Sequence, residues 1–414
     1  MHAIVAGLDP ARYRALVVLP DHGILAADLR ALGIEVLVRP LAVLRRSLMS
    51  PNGIGRVVAS WAADAGGLGR LARSRDVALV HTNTSVTLGG AAAARVAGVP
   101  HVWHVREIYA GFERWFPAYR RLLLSAQALP CVSRAACLQF DGAPEAFVLH
   151  DGLAVDARRG DRAQARAALG LAPDAFVAAV LGRVSGWKGQ DVLVSALGEE
   201  PLRGRADVVA LVAGAPARGE ERHRRELHAL AARLGVADRL YDVGFQEDLD
   251  LVYGAADVVA VPSKQPDPLP NAALEASAAG CCVVAAAHGG LPEIVRDRQT
   301  GRLVAPRDPA ALAGVLAELA GDPGQGARLG AAAAVDVRAR FARSRLLDEA
   351  GALRPPAGLI SPRWPARRPR RWPTAQHSPR SRARDAPCGR RPRRRFRRGC
   401  RRRVRRCARR SRCC

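Results

Sequence analysis

Lysine, methionine and aromatic residues are scarce in this chain, and long apolar runs are absent. Lys188 and Lys264 are its two lysines beside 62 arginines, and aromatic residues make up 5% of the 414 positions. No stretch approaches the roughly eighteen apolar residues that a membrane-spanning helix needs, and the N-terminus lacks the basic flank and apolar core of an export signal. We therefore expect a cytoplasmic protein, in peripheral contact with the inner face of the membrane at most.

Paired cysteine spacings are also lacking. The body cysteines lie in apolar contexts and are predicted to be reduced core thiols: Cys131, Cys137, Cys281 and Cys282. The five cysteines of the C-terminal tail show no Cys-x-x-Cys pattern, so no metal site is expected.

Positive charge is concentrated in that tail, residues 354–414. It holds 24 arginines and one acid, Asp385, so it carries +23 of the net +26 and leaves +3 (26 − 23) for the rest. A nearly neutral body gives no support for nucleic-acid binding by the folded part. The tail is predicted to be disordered. It is either a polyanion-binding arm or, given the excess of arginine typical of GC-rich coding DNA, the product of a shifted reading frame.

Strand-like and helix-like stretches alternate along the body, which predicts an α/β protein of two doubly wound, Rossmann-like halves with parallel sheets. The predicted boundaries are a first domain over 1–150, a hinge over 151–164, a second domain over 165–353 and the tail over 354–414. Predicted strands lie at 15–19, 34–38, 77–81, 101–105 and 128–132 in the first domain, and at 176–181, 208–213, 240–243, 258–261 and 283–287 in the second.

Three loops of the second domain carry the strongest functional signal. Each follows a predicted strand and precedes a helix: 182–191 with three glycines and two cations, 262–280 with two carboxylates, and 288–295 with a glycine pair. Glycine lets a backbone approach a phosphate, and arginine and lysine neutralise it. Helix N-termini at the carboxyl end of a parallel sheet bind anions. Together the loops predict a cleft for a phosphate- or sugar-bearing ligand.

Polar residues also follow two strands of the first domain, at 81–84 and 104–107. They are candidates for the opposite wall of the same cleft. A histidine hydrogen-bonded within its own loop is an equally good interpretation for each segment.

These motifs resemble family 4 retaining glycosyltransferases of the GT-B fold. The resemblance runs to about Leu353 and is most specific over 181–306. It rests on Gly-Arg…Trp-Lys-Gly, then Pro-Ser…Asp-Pro-Leu-Pro…Leu-Glu-Ala…Gly, then Gly-Gly-Leu-Pro-Glu-Ile-Val…Thr-Gly-Arg-Leu-Val. It implies transfer of a sugar from a UDP- or GDP-linked donor to a glycan, a lipid-linked acceptor or a small molecule. It also implies retention of configuration, no metal or cofactor, and a role in making cell-envelope polysaccharide or glycoconjugate.

The resemblance further implies residue roles. Arg183 and Lys188 would hold the diphosphate, Asp267 would meet the donor sugar and Glu275 the ribose hydroxyls. His104 matches the histidine near the transferred sugar, so the catalytic candidates are His104, Asp267 and Glu275. The other candidates are Gly182, Leu269, Asn271, Gly289 and Gly290 on the donor side, and Asn83, Arg106 and Glu107 on the acceptor side.

Two departures from the family pattern leave other interpretations open. Residues 1–10 resemble the helix that follows the family's first strand and glycine-rich loop, so both are expected to be missing. Asp267-Pro268-Leu269-Pro270 replaces the usual Glu-Pro-Phe-Gly. A catalytically impaired remnant and a nucleotide-sugar epimerase of the same fold are the alternatives.

Three further segments are candidates for substrate contacts, without roles for individual residues. The base of the nucleotide is expected near 244–248. The basic, aromatic stretch 112–124 is either a membrane-surface segment beside a lipid-linked acceptor or an amphipathic helix packed on its own sheet. Residues 41–54 form an acceptor loop or a connector.

Overall fold

The structure is a computed structural model that describes residues 1–44, 51–109, 114–153 and 155–351. Met1–Ser361 forms one compact unit, and a second unit, Pro362–Cys414, lies wholly outside the described residues, as do the predictions made for the tail. Parts of the predicted acceptor loop (45–50) and of the basic, aromatic stretch (112–113) also fall outside the description.

The first half consists of short parallel strands covered by helices. Its elements are α1 (His2–Ala6), β1 (Leu16–Leu19), α2 (Ile24–Ala31), β2 (Glu35–Val38), α3 (Pro51–Ser74), β3 (Val80–Thr82), α4 (Gly89–Ala97), β4 (His101–Trp103), α5 (Phe116–Leu123), β5 (Leu129–Cys131), α6 (Arg134–Cys137) and β6 (Ala146–Val148).

The strands of the first half pair two by two. The parallel pairs are β1 with β2, β3 with β4, and β5 with β6. Single bridges from Val102 to Ala128 and from Val105 to Cys131 join β4 to β5. Strands β3 to β6 therefore lie side by side, and their carboxyl ends share one edge.

The second half is built on one continuous sheet. Its elements are α7 (Arg162–Ala168), β7 (Phe176–Leu181), α8 (Gln190–Leu197), β8 (Val208–Ala213), α9 (Arg222–Leu234), β9 (Leu240–Gly244), α10 (Leu249–Ala255), β10 (Val258–Val261), α11 (Asn271–Ala278), β11 (Cys282–Ala286), α12 (Leu291–Ile294), β12 (Gly301–Val304), α13 (Pro309–Gly321), α14 (Pro323–Arg340) and α15 (Arg343–Gly351).

The six strands of this sheet are all parallel, in the order β12-β11-β10-β7-β8-β9. Every residue of β7, β8, β10 and β11 is buried. Continuous apolar runs are what a parallel sheet covered on both faces requires. The α/β architecture with parallel sheets predicted from the sequence is confirmed.

The sequence located β7, β8 and β10 to the residue and the other predicted strands to within three residues at each end. It missed β6 and β12, which are strands of three and four residues. Three of the four body cysteines are buried as predicted, whereas Cys137 is half-buried, and all four are free thiols. The division into domains at 151–164 stays a prediction.

The end of the second half returns to the first. Helix α15 packs against α1, and Leu346 of α15 is buried in a small cluster with Ile4 and Leu149. A Cβ atom on Gly7 would lie 2.4 Å from the Leu347 side chain, so the two helices touch at this glycine. Helix α15 therefore crosses back onto the first half.

Helix α5 lies within the stretch proposed for membrane contact. It buries Tyr119 and Leu123 against the first half, whereas Trp115, just before it, is 48% exposed. Packing on its own half therefore accounts for the apolar face of the helix. Within the described ranges, no helix combines the length and the apolar character needed to cross a bilayer.

Candidate active site

The loop that follows β7 begins the site. Gly182 has φ +123°, and a Cβ atom at Gly214, after β8, would lie 1.9 Å from the Gly182 carbonyl oxygen. The close approach excludes a side chain at Gly214, and the positive φ disfavours one at Gly182. Arg183 is exposed beside this turn, and its carbonyl oxygen accepts a hydrogen bond of 3.0 Å from the Gln190 side chain.

A lysine–aspartate pair joins this loop to the loop after β10. Lys188 Nζ lies 2.6 Å from Asp267 Oδ2, and the Asp267 side chain is only 7% exposed. Lys188 also lies over the Trp187 ring, 4.4 Å from its centroid. The amide of Lys264 donates to the Trp187 carbonyl at 2.7 Å, which fixes the two loops to each other. Lys188 and Asp267, assigned separately from the sequence, are therefore direct neighbours.

The glycine pair after β11 packs against the backbone of Asp267. Gly290 N–H donates to the Asp267 carbonyl at 2.8 Å, and Gly289 has φ +60°. A Cβ atom on Gly290 would lie 1.9 Å from the Pro268 carbonyl oxygen. The pair is therefore required for loop packing, and the Gly290 amide is used within the protein.

Helix α11 carries the second carboxylate. It begins at Asn271, directly after Pro270, with Asn271 exposed and Leu269 buried. Burial raises the pKa of Glu275, and a hydrogen bond from the Tyr253 hydroxyl, 3.4 Å from Glu275 Oε2, partly offsets that effect.

Tyr253 was not predicted from the sequence. It is fully buried on α10, in an apolar segment 22 residues before its partner. No local pattern distinguishes it from a core tyrosine, so the structure alone reveals the contact.

His104 lies in the first half at the end of β4. It is completely buried, neither ring nitrogen has a hydrogen-bond partner among the described residues, and its ring stacks on His81 with centroids 5.7 Å apart. Burial, together with the charge of Arg106, lowers the pKa of His104 to about 3. The imidazole is therefore neutral at physiological pH, and its two nitrogens are without a partner in the described ranges of the chain. The buried Asn83 Oδ1 is likewise without a partner in the described structure.

The two charged acceptor-side candidates are engaged within the protein. Glu107 accepts hydrogen bonds from the hydroxyls of Thr84 and Ser85, and from the amides of Ser85 at 3.0 Å and Arg106 at 3.1 Å. Arg106 makes a bidentate ion pair with Asp151, with one contact at 2.8 Å. Glu107 therefore organises the loop after β3, and Arg106 ties β4 to the predicted hinge.

Carboxylates and histidines do not gather into a metal-binding arrangement anywhere in the described ranges. The donor-side candidates converge at the carboxyl ends of β7, β10 and β11, whereas His104, Asn83, Arg106 and Glu107 lie at the carboxyl ends of β3 and β4.

This architecture is the GT-B fold of glycosyltransferases. The structure of Anabaena Alr3699/HepE in complex with UDP and glucose superposes with a TM-score of 0.72 at 25% identity, covering 84% of this chain and 94% of that one. WaaG, a glycosyltransferase involved in lipopolysaccharide biosynthesis, shares the fold with a TM-score of 0.63 at 18% identity, covering 85% of this chain and 94% of its own.

The sequence relationship is more specific. The model of glycosyl transferases group 1 matches residues 161–336. The D-inositol 3-phosphate glycosyltransferase of Mycolicibacterium vanbaalenii is 36% identical over 324 residues, which cover 74% of this chain and 68% of that protein. The chain belongs to the group 1 glycosyltransferases. The enzyme of the same name from Actinosynnema mirum is 47% identical over 170 residues, and that match spans 40% of each chain.

Proposed function

We propose that this protein transfers a sugar from a nucleotide-diphosphate donor to an acceptor hydroxyl, with retention of configuration. The observation that carries the proposal is the Lys188–Asp267 pair, at 2.6 Å, held where three strands of one parallel sheet end. A cation beside a buried carboxylate suits a ligand that presents a diphosphate next to a sugar.

The donor-side roles follow from the surroundings of each group. Arg183 is exposed and forms no ion pair within the described structure, so its guanidinium is available to a diphosphate. Lys188 would contact the same diphosphate while Asp267 orients the sugar. Glu275 would accept hydrogen bonds from the ribose hydroxyls. A relative solved with UDP and with UDP-glucose supports a uridine donor.

The chemical step proposed is a front-side displacement. Arg183 and Lys188 stabilise the charge that develops on the leaving diphosphate, which in turn assists removal of the acceptor proton. In this proposal neutral His104, at the carboxyl end of β4, is a hydrogen-bonding partner for the transferred sugar. In this scheme Asp267 positions the sugar and forms no covalent bond to it, and the reaction uses neither metal nor cofactor.

For the acceptor we propose a polar molecule, a glycan or a lipid-linked sugar bound at the edge formed by β3 and β4. A cytoplasmic enzyme that reaches a lipid-linked acceptor would meet the membrane surface through the exposed Trp115 and the neighbouring Arg114 and Arg121. Relatives named for D-inositol 3-phosphate make a phosphorylated polyol the first small acceptor to assay.

The experiment that tests the donor site is a thermal-shift titration with UDP, GDP and their sugar conjugates. Stabilisation by one nucleotide is expected for the wild type and is lost in Lys188→Ala and Glu275→Ala. Arg205→Ala is the control, since Arg205 pairs with Asp207 at 2.6 Å just before β8, outside the donor-side loops. Binding that survives both site variants would overturn the assignment.

The reaction itself is followed by the products of the stabilising nucleotide sugar. Transfer predicts nucleotide release that depends on an acceptor, a product with the donor's anomeric configuration, and activity unchanged by a chelator. Turnover of the nucleotide sugar without acceptor would indicate an epimerase. Binding without turnover for any acceptor would indicate an impaired remnant.

A further inference from the structure

A carboxylate of the second half is bound to backbone amides of the first. Glu293, on α12, accepts hydrogen bonds from the amide of Arg134 at 2.9 Å, the amide of Ala135 at 3.0 Å and His150 Nε2 at 2.8 Å. Its side chain is 14% exposed. Although burial alone would raise the pKa of Glu293, the hydrogen bonds from His150 and the two amides lower it, so the carboxylate is ionised.

The three donors belong to two different parts of the first half. Arg134 and Ala135 begin α6, whose third amide, at Ala136, is satisfied at 3.0 Å by Ser133. The first amides of a helix have no partner within the helix. Glu293 therefore completes, from the second half, the cap that Ser133 begins. His150 lies where the first half ends, and its ring also packs against Phe341, with centroids 5.2 Å apart.

Glu293 lies on α12, directly after the glycine pair that packs against the proposed donor site. Three residues before it, Gly290 is hydrogen-bonded to the Asp267 carbonyl, and the Asp267 side chain meets Lys188. One short segment thus contacts the donor-side acid at one end and the first half at the other. A rigid connection of this kind fixes the distance between the donor loop and the wall that carries His104.

We propose that Glu293 is a positioning residue for transfer, which sets the orientation of the two halves by binding α6 and His150. The inference rests on the proposed function for its catalytic consequence, whereas the contact itself is independent of that function. Glu293 need not touch the donor, so its loss should affect the reaction more than donor binding.

The test uses the full chain with Glu293→Gln, which keeps the size of the side chain and removes its charge and one acceptor. Hydrogen exchange of the amides of 134 and 135 is expected to accelerate by about tenfold. Affinity for UDP is expected to stay within about twofold, while kcat falls by about tenfold with a smaller change in the donor KM.

Two further variants test whether the effect is specific to the Glu293 contact. Glu318→Gln is the matched control, because its carboxylate contacts Arg302 and Gln325 of the second half, and its kcat and exchange at 134–135 should match the wild type. His150→Phe keeps a ring against Phe341, removes one donor to Glu293 and should give a smaller effect of the same kind. It also replaces Glu293→Gln as the test if that variant does not fold.

Unchanged exchange at 134–135 in Glu293→Gln would overturn the inference, as would faster exchange with wild-type kcat. If the wild type itself shows no transfer, the proposed function fails. The exchange measurement then still decides whether Glu293 holds the halves together.

Discussion

The two halves of this protein form the same kind of fold by different means. In the second half, four strands are wholly buried and apolar within a single six-stranded sheet. In the first half the strands have three or four residues, and the core near their ends buries polar side chains: Asp64, Thr82, Ser85, His101 and His104. The sheet of the second half is therefore held mainly by apolar burial, whereas neighbouring strands of the first half also join through side chains, as Thr82 does with His101.

The two acidic candidates show the same difference. Glu107 in the first half accepts hydrogen bonds from four groups of its own loops, whereas the Glu275 side chain in the second has, among the described residues, a single bond of 3.4 Å, from Tyr253. A carboxylate whose oxygens already accept hydrogen bonds from protein groups stabilises the local structure. An acid with spare acceptors is better suited to bind a ligand. The contrast therefore favours Glu275 as a direct contact and Glu107 as a structural support.

The largest effect is expected from closing the glycine contact of the second half. In Gly290→Ala the new methyl group would meet the backbone oxygen of Pro268 at 1.9 Å. A backbone carbonyl cannot rotate away as a side chain can, so we expect a loss of about 3 kcal/mol in the free energy of unfolding. Nucleotide-dependent stabilisation should disappear with it. Urea denaturation with and without UDP measures both.

Alanine substitutions at two other glycines provide comparisons for Gly290→Ala. In Gly90→Ala of the first half, the methyl group would lie 1.9 Å from the Thr82 hydroxyl, a side-chain atom that can move, so the loss should be smaller. In Gly314→Ala, on the exposed side of α13, no atom lies within 4 Å, and the helix should gain up to about 1 kcal/mol. Equal losses at Gly290 and Gly90 would remove the distinction between a contact with a fixed backbone oxygen and a contact with a side chain that can move.

The next effect is the pH dependence of the buried histidines of the first half. Burial lowers the pKa of both His101 and His104 from 6.5 to about 3. Below pH 6.5 the unfolded chain binds protons that the folded protein does not. The stability is therefore complete above that pH and declines as the pH falls toward 3. Linkage gives a loss of about 2 to 3 kcal/mol per histidine between pH 7 and pH 4.5.

Urea denaturation across that range measures the decline. His101→Gln can keep a hydrogen bond to Thr82, which lies 2.8 Å from His101 Nε2, and should remove about a third of the acid sensitivity, because the pKa of His81 is also lowered, to about 4. His22→Gln, on the surface of the first half, should keep all of it. Acid sensitivity that persists in His101→Gln would show that other groups are responsible.

The difference between unbroken apolar strands and residues with distant partners explains which features could be predicted from the sequence. Strands β7, β8 and β10 were located to the residue because each is an unbroken apolar run. Strand β12 was missed because it begins with a glycine and carries the charged Arg302, which is buried beside Glu318. The donor loops were recognised from local motifs. Glu293 lies inside one of these motifs, but its partners are 143 to 159 residues away, and no local sequence pattern predicts a contact over that separation.

The smallest effect is expected at Tyr253, and it tests the contrast between Glu275 and Glu107. Tyr253→Phe keeps the buried ring and removes the hydroxyl that partly offsets the burial of Glu275. The pKa of Glu275 should rise further, so a larger fraction of it is protonated at mildly acidic pH. A protonated acid offers fewer acceptors to a ribose, and UDP affinity should fall several-fold as the pH decreases. The free energy of unfolding should change by about 1 kcal/mol or less.

Ser85→Ala is the counterpart in the first half. It removes one donor from Glu107, which keeps the amides of Ser85 and Arg106 and the Thr84 hydroxyl. Because this network lies at the ends of β3 and β4, UDP affinity should stay within about twofold of the wild type at every pH. Calorimetric titrations of both variants from pH 5 to pH 8 decide the point. Tyr253 is the one side-chain partner of Glu275 in the part of the chain that the structure describes. A pH-independent affinity in Tyr253→Phe would therefore mean that the ionisation of Glu275 does not govern donor binding, and the ribose-binding role would then have to pass to another residue of the second half.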